Sequence, residues 1–161
     1  MRTLLATATV IDGLLAGASL DQSVEQLPAR HRIGIRAYQQ YSQASHMANG
    51  RFWLIPLGIG GPVLRIAAAI GARGLSSRRA VLVYVAAALG VAHALSTVKA
   101  AGINVAIAPW QPAERRIVDE YALSDIFHRF ERWQALRASL QFLTFAAGVW
   151  ALAVNADAND D

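Results

Sequence analysis

Four long apolar stretches divide the chain, and each has the length of a membrane-spanning helix. They cover residues 3–20, 52–72, 80–98 and 134–154. A helix needs about 20 mostly apolar residues to cross the hydrocarbon core of a bilayer. The strands of a membrane β-barrel would instead alternate in polarity at every second residue, and these stretches do not. The pattern therefore predicts an all-α fold, an integral membrane four-helix bundle within residues 1–154, followed by an acidic tail at residues 155–161.

The first stretch has a second interpretation, a cleaved signal peptide. Arg2 precedes it, and the small residues Ala16 and Ala18 near its end resemble a cleavage site. Asp12, however, lies in the middle of the stretch, where a signal peptide has an apolar region. We therefore expect the stretch to be retained as the first spanning helix.

The connections between the stretches predict an orientation. Residues 73–79 (RGLSSRR) form a short Arg-rich turn, and such loops face the cytoplasm. Both termini then also lie on the cytoplasmic side of the cell (inner) membrane, and the two long connections lie on the outer side. Each long connection contains a segment with helical character, residues 33–51 and 113–133, that runs directly into the next span. We expect these two helical extensions to form a cap on the non-cytoplasmic side.

Composition favours a lipid-facing exterior and thus the lipid bilayer as a partner. The sequence is 55% hydrophobic and 16% charged, whereas soluble domains average about 25% charged residues. The net charge of +4 comes from basic residues scattered near the ends of the apolar stretches. That distribution is typical of interfacial anchoring, so no nucleic-acid partner is expected. The chain has no Cys, which excludes disulfides and thiolate metal sites. A second copy of the chain or a membrane-complex partner stays open.

Two ionisable residues interrupt the apolar stretches at matching depth. At about 1.5 Å per residue, Asp12 lies about 13 Å and Arg65 about 10 Å from the cytoplasmic ends of their spans. Ionisable side chains inside a bilayer are costly and usually face the bundle interior. We therefore predict a structural ion pair between Asp12 and Arg65. A proton-relay role for Asp12 is the alternative, but no second acidic residue lies at this depth to support it.

The outer halves of the third and fourth stretches carry small and polar residues at helical spacing. The third contributes Gly90, His93, Thr97, Ala100 and Asn104, and the fourth contributes Trp133, Arg137, Gln141, Thr144 and Gly148. Residues three and four apart share one face of a helix, so we expect the two stripes to face each other. His46 and Asn49, just before the second stretch, can join them. Two interpretations stay open: hydrogen bonds that only fix helix packing, or a ligand or active site.

Metal binding is not predicted. The chain has four histidines, but no H-x-x-H or HExxH spacing occurs among them. The phosphate-binding loops and nucleophile motifs of soluble enzymes are also absent from the sequence.

The region from the end of the third stretch through the fourth resembles the DUF1772 family, the anthrone-oxygenase-like family of small membrane proteins. The resemblance lies in Asn104 within INVAIAPW and in WQALRASLQFLTF, where Trp133 and Arg137 fit the W…LR signature. The run LLAGASL and the four-span layout fit as well. The resemblance implies a four-helix membrane fold. It also implies an oxidoreductase of the monooxygenase type, because characterised members oxidise anthrones to anthraquinones with O₂ and without an established cofactor.

Taken with the polar stripes, the resemblance leads to a specific hypothesis. The chain would be a membrane-embedded, cofactor-independent oxygenase of a hydrophobic aromatic, anthrone-like small molecule. A neutral, buried histidine, His93 or His46, would act as the base. Arg137 and Asn104 would stabilise the oxyanion, and Trp133 would form an apolar wall. We expect Thr97, Gln141 and Asn49 to contact the substrate.

The alternative is a non-catalytic membrane protein, either an accessory subunit or a module that binds lipid or a hydrophobic ligand. In that case the polar stripes serve only helix packing. A small transporter is disfavoured, because the chain shows no internal repeat.

Overall fold

The computed structural model of the chain describes residues 1–45, 47–75, 77–107 and 119–156. No β-strand occurs within these ranges. The elements are α1 (Arg2–Asp21), a π-helical turn (Gln22–Gln26), α2 (Leu27–Ile33), α3 (Ile35–Ser45), α4 (Met47–Gly71), a 3₁₀ turn (Ala72–Gly74), α5 (Ser77–Ile107) and α6 (Glu120–Ala156).

The apolar pattern correctly predicts the long helices. Four helical segments in the described part of the chain are long and apolar enough to cross a membrane: Arg2–Ile33, Phe52–Gly74, Arg79–Ile107 and Glu120–Asn155. Each extends beyond its apolar stretch. Helix α5 continues for nine residues past the predicted end at Val98. Buried Ala100 and Ile107 in this extension pack against the neighbouring helices. Helix α6 ends at Ala156, and residues 157–161 of the tail lie outside the described residues.

The four long helices form a ring in which each packs against two neighbours. Helix α1 contacts α4 and α6, and α5 also contacts α4 and α6, so α1 lies diagonally opposite α5. This is the arrangement of a four-helix bundle in which helices consecutive along the chain are neighbours. Side chains from all four helices can therefore meet on the bundle axis.

Two apolar clusters close the ends of the bundle. One consists of Leu5, Ala68, Ala72, Val83 and Ala151. The other consists of Leu27, Tyr38, Ala100, Ile107, Leu123, Phe127 and Phe130. The first is built mostly from small side chains, which allow close approach of helices. The second is aromatic, with the Tyr38 and Phe127 rings 5.4 Å apart, and it joins α2 and α3 to α5 and α6.

The outward face of each long helix is apolar. Val10 on α1, Ile59 on α4, Leu95 on α5 and Phe142 on α6 are between 61% and 66% exposed. In a water-soluble bundle such positions would be polar, with the apolar stripe turned to the core. An apolar exterior around a polar interior suits a lipid environment.

Glycine, proline and a π-helical turn affect the helical path differently. Gly34 has a φ of 84°, a left-handed conformation that a side chain would strain, and it separates α2 from α3. Pro56 and Pro62 lie inside α4 without ending it. The π-helical turn, which the apolar pattern does not predict, joins α1 to α2 without a break in the helical path.

Candidate functional site

The bundle interior contains two separate polar layers. The ion-pair layer consists of Thr9, Asp12 and Arg65. The histidine layer consists of His93, Thr97, Gln134, Arg137 and Gln141, together with the residues of α1 and the π-helical turn that bind them. The two layers differ in how completely their polar atoms are partnered.

The ion-pair layer contains the pair that the depth argument predicts. Asp12 Oδ2 accepts hydrogen bonds from Arg65 Nε at 2.8 Å and from Nη2 at 2.6 Å. Arg65 Nη2 lies 3.1 Å from Thr9 Oγ1, and that hydroxyl donates to the Leu5 carbonyl. Arg65 and Asp12 are 0% and 2% exposed. One positive and one negative charge meet here, so the layer is neutral and its main role is to hold α1 against α4.

Glycines on three helices make room for this pair. A Cβ at Gly148 would lie 2.8 Å from Arg65 Cζ, and a Cβ at Gly61 would lie 3.2 Å from Asp12 Oδ1. A Cβ at Gly90 would lie 3.6 Å from Arg65 Cγ. Gly90 and Gly148, with Thr144 beside them, therefore surround Arg65. The sequence interpretation placed these three residues in the outer polar stripes, whereas the structure places them around the ion pair.

His93 and Gln141 form the centre of the histidine layer. They are 1% and 4% exposed, and Gln141 Nε2 lies 2.8 Å from His93 Nε2. An amide can present either its nitrogen or its oxygen to a ring nitrogen, and the two orientations have the same heavy-atom shape. In both orientations His93 Nδ1 is the ring atom without a partner. The facing of α5 and α6 that the polar stripes predict is present at this contact.

Arg137 and Gln134, one helical turn from each other on α6, bind the end of α1 and the π-helical turn. Arg137 Nη2 donates to Gln22 Oε1 at 2.8 Å. Gln134 Nε2 donates to the Ser19 carbonyl and to Ser23 Oγ, both at 3.4 Å. These bonds join α6 to α1 on the side of the bundle where the aromatic cluster lies.

Arg137 has no carboxylate within ion-pair distance among the described residues, which distinguishes this layer from the first. Its side-chain partner in the described part of the chain is an amide oxygen, while Arg30 and Arg65 each pair with a carboxylate. His93 and Arg137 interact electrostatically. The histidine layer thus carries a net positive charge inside an apolar bundle.

Five buried polar atoms in the histidine layer have no hydrogen-bond partner among the residues that the structure describes. They are His93 Nδ1, Thr97 Oγ1, Gln134 Oε1, Arg137 Nε and Gln141 Oε1. Most buried polar atoms in native proteins are partnered, and those that are not call for a specific explanation. In the ion-pair layer the only such atom is Arg65 Nη1. Both donors and acceptors are available in the histidine layer to a group that enters it.

Asn104 lies apart from His93, about 16 Å farther along α5 by helical rise. It lines a small cavity of about 10 Å³ together with Gln22, Gln26, Tyr38, Tyr41, Ser42, Phe127 and Phe130. That volume admits about one water molecule. Burial raises the pKa of the Tyr38 hydroxyl above its usual value of 10.0. Gln22 connects the two places, because it lines this cavity and binds Arg137.

The remaining predicted site residues are distributed as follows. Trp133 packs against the aromatic cluster and is partly buried. His46 lies outside the described residues; Asn49 lies in α4, but its side chain also lies outside them. The structure therefore brings His93 and Gln141 into contact, with Thr97 and Arg137 each about one helical turn away along α5 and α6. Asn104 lies farther along α5, and Trp133 packs against the aromatic cluster.

A third polar group, outside the two layers, lies between α2 and α6. Glu131 binds Arg30 at 2.7 Å, with His31 Nε2 3.9 Å and His128 Nδ1 3.6 Å from its oxygens. Arg30, His31 and His128 also line an open cleft of about 590 Å³. Within the described ranges, no group of three or more His, Asp or Glu side chains is arranged to hold a metal ion.

Gln22, Ser23 and Gln134 are site residues that the sequence interpretation missed. Gln134 precedes Arg137 and Gln141 at spacings of three and seven, so the helical stripe itself could have included it. Gln22 and Ser23 could not be found in this way, because a π-helical turn changes the side-chain directions that α-helical spacing predicts.

Comparison with known proteins adds no relative: no protein-family model, no curated protein and no solved structure matches the chain.

Proposed function

We propose that the chain is an integral membrane protein whose histidine layer is the active site of a cofactor-independent oxygenase. Its substrate would be a hydrophobic aromatic compound of the anthrone type. Within the described ranges, five buried polar atoms of this layer lack a partner and Arg137 lacks a carboxylate, and this observation carries the proposal. Ionisable residues inside a membrane bundle are by default candidates for function, and a site used only for packing would leave fewer of its atoms unbound.

The membrane assignment is supported by the four membrane-length helices and by their apolar outward faces. The Arg-rich segment at residues 73–79 supports a cytoplasmic position for that end of the bundle and for both termini. The histidine layer and the aromatic cluster then lie toward the outer side. Helices α2 and α3 and the first turns of α6 form the cap over them.

The reaction needs a base and a stabilised anion, and the histidine layer offers both. With the Gln141 amide oriented so that its oxygen accepts from His93 Nε2–H, the free lone pair of the neutral ring lies on Nδ1. Nδ1 would then remove a proton from the CH₂ group of the anthrone, and the negative charge would move to the carbonyl oxygen. The Arg137 guanidinium would stabilise that oxygen by charge and by its Nε–H, as oxyanion sites do. O₂ then adds to the electron-rich carbon, and the peroxide loses water to give the ketone. One CH₂ and one O₂ yield one C=O and one H₂O, so no external electron donor is required.

Substrate access requires local opening of the bundle, because His93 is 1% exposed. Thr97, one helical turn after His93, and Gln141, which binds the His93 ring, would contact a substrate that reaches Nδ1. In the orientation that frees Nδ1, the Gln141 amide nitrogen is the group that can donate to the substrate. A role for Asn104 in direct contact with the same substrate is not supported by its distance from His93. Asn104 instead belongs with the small cavity that Gln22 connects to Arg137.

The test is oxygen uptake by the purified protein in detergent with 1,8-dihydroxyanthrone, measured above the rate in protein-free micelles. His93→Ala should lower turnover by about 10²–10⁴-fold, the usual contribution of a general base. Arg137→Ala should lower it by about 10²–10³-fold, as for a lost oxyanion donor. Leu95→Ala and Leu136→Ala, on the lipid-facing sides of the same helices, are the controls and should retain activity. Unchanged turnover in the double variant His93→Ala/His46→Ala would remove the histidine base from the mechanism.

A non-catalytic membrane protein is the second candidate, an accessory subunit or a module that binds lipid. It is favoured by the direct helix-to-helix bonds of the same layer, from Gln134 to Ser19 and from Arg137 to Gln22. Under this function the His93 and Arg137 variants lower the melting temperature in detergent, and the wild type consumes no oxygen above the micelle rate.

A further inference from the structure

The π-helical turn at residues Gln22–Gln26 places polar side chains against α6. A π-helical turn has one residue more per hydrogen-bonded ring than an α-helix, and such turns often occur at functional sites. Here the turn directs Gln22 and Ser23 to Arg137 and Gln134. The widened turn is therefore the element that sets the position of the Arg137 guanidinium.

The chemistry of the Gln22 side chain determines the charge at this contact. Gln22 Oε1 accepts the hydrogen bond from Arg137 Nη2 at 2.8 Å as a neutral amide. A carboxylate at the same place would neutralise the guanidinium. The two acidic residues nearby in sequence, Asp21 and Glu25, are exposed, and Asp21 Oδ2 already accepts from Gln26 Nε2 at 2.6 Å. The site thus orients a cation without giving it a counter-charge.

We propose that Gln22 is a positioning residue that fixes Arg137 and leaves its positive charge available to an anionic oxygen of the substrate. This inference rests on the proposed oxygenase function, and it narrows the substrate class to aromatic ketones that carry an acidic hydroxyl or enolisable group. Gln22 acts through Arg137 and contacts no reacting atom. A buried donor of the same guanidinium, Arg137 Nε–H, has no partner among the described residues and is the atom that would bind the substrate oxygen.

Gln22→Glu separates this role from a purely structural one. The carboxylate keeps the hydrogen bond and adds a counter-charge, so the melting temperature in detergent at pH 8 should rise. Turnover of 1,8-dihydroxyanthrone should nevertheless fall by about 10-fold or more, mainly in kcat, because the oxyanion loses its net positive partner. Gln22→Met, which removes the hydrogen bond but leaves the charge, should lower the melting temperature. Gln40→Glu makes the same charge change at an exposed position of α3 and should match the wild type in both measurements.

A spectroscopic readout reports the charge directly. The product-like probe 1,8-dihydroxyanthraquinone absorbs at longer wavelength when its phenol is ionised, and a neighbouring guanidinium favours the ionised form. Bound to Gln22→Glu, its phenol should titrate at a pH about one unit or more above that in the wild type. In Gln22→Met the titration should stay closer to the wild-type value.

The outcomes distinguish this inference from the oxygenase function. Wild-type kcat in Gln22→Glu, or an unshifted phenol titration in that variant, overturns the positioning role while the oxygenase function stands. If the wild type neither oxidises the anthrone nor binds the quinone, the oxygenase function fails. The melting temperature alone then tests whether Arg137 lacks a counter-charge. In that case a rise in Gln22→Glu supports an uncompensated Arg137, and an unchanged or lower value overturns it.

Discussion

Gly148 on α6 leaves the space that the guanidinium of Arg65 on α4 occupies. A Cβ at position 148 would lie 2.8 Å from Arg65 Cζ and 2.7 Å from Thr9 Oγ1, both closer than unbonded atoms can pack. The buried ion pair with Asp12 therefore depends on the absence of a side chain at position 148 of α6. A charge pair and a glycine act here as one structural unit.

Gly148→Ala should destabilise the bundle because the added methyl group must displace Arg65 from its partners. Overpacking costs about 1–3 kcal/mol, and weakening the ion pair adds to that. The melting temperature in detergent is the measurement. Gly102→Ala on α5, where a Cβ would meet nothing within 4 Å, is the matched control. It should be neutral or slightly stabilising, by up to about 1 kcal/mol of helix propensity. Equal melting temperatures for the two variants would show that Arg65 does not depend on Gly148.

The Asp12–Arg65 pair should show strong coupling in a double-mutant cycle. Removal of one partner leaves an unpaired buried charge and costs about 3–5 kcal/mol. The double variant Asp12→Ala/Arg65→Ala removes both charges and should cost less than the sum of the single variants. Unfolding in mixed micelles at several ratios of denaturing detergent gives the free energy of unfolding of the wild type, of each single variant and of the double variant. Additive effects would mean that the two residues act independently.

Much of the bundle could be predicted from the sequence because its determinants are local. Four stretches of spanning length specify four long helices, and equal depth along two of them specifies the ion pair. The glycines around the pair could not be assigned, since Gly90 and Gly148 also fit the polar stripes at helical spacing. Only the three-dimensional arrangement shows that they face Arg65 and not His93.

Alkaline pH should destabilise the aromatic cluster through Tyr38. Burial raises the pKa of its hydroxyl above 10.0 in the folded protein, so the neutral form is favoured by folding. The corresponding stability is fully present below the unfolded pKa and is lost as pH rises through the folded value. The melting temperature of the wild type should therefore fall more steeply above pH 10 than that of Tyr38→Phe. Parallel curves for the two proteins would show that Tyr38 ionisation does not contribute.

Cysteine labelling should report the orientation of the bundle in the membrane. The chain has no Cys, so each introduced thiol is the only one. Tyr121→Cys lies at an 89% exposed position near the start of α6, and Gly74→Cys lies in the turn before α5. A membrane-impermeant maleimide should label position 121 in intact cells and position 74 only after permeabilisation. The reverse pattern would place the histidine layer toward the cytoplasm.

The candidate site was less predictable than the fold. His93 and Gln141 meet as helical spacing on α5 and α6 predicts, because both residues lie in regular helices. Asn104 fits the same spacing, yet it lines the small cavity near Tyr38. A stripe of residues along a helix as long as α5 contacts different helices at different heights. Gln22 could not be found at all, because the π-helical turn that directs it leaves no periodic pattern in the sequence.

The fate of molecular oxygen decides whether the histidine layer is an active site. Purified protein supplied with 1,8-dihydroxyanthrone and ¹⁸O₂ should form the quinone with one ¹⁸O atom per molecule, at a rate that His93→Ala reduces to the micelle background and Leu95→Ala leaves unchanged. The second oxygen atom should appear in water. Quinone formation at the same rate in the wild type, in His93→Ala and in protein-free micelles would contradict an active site in the histidine layer.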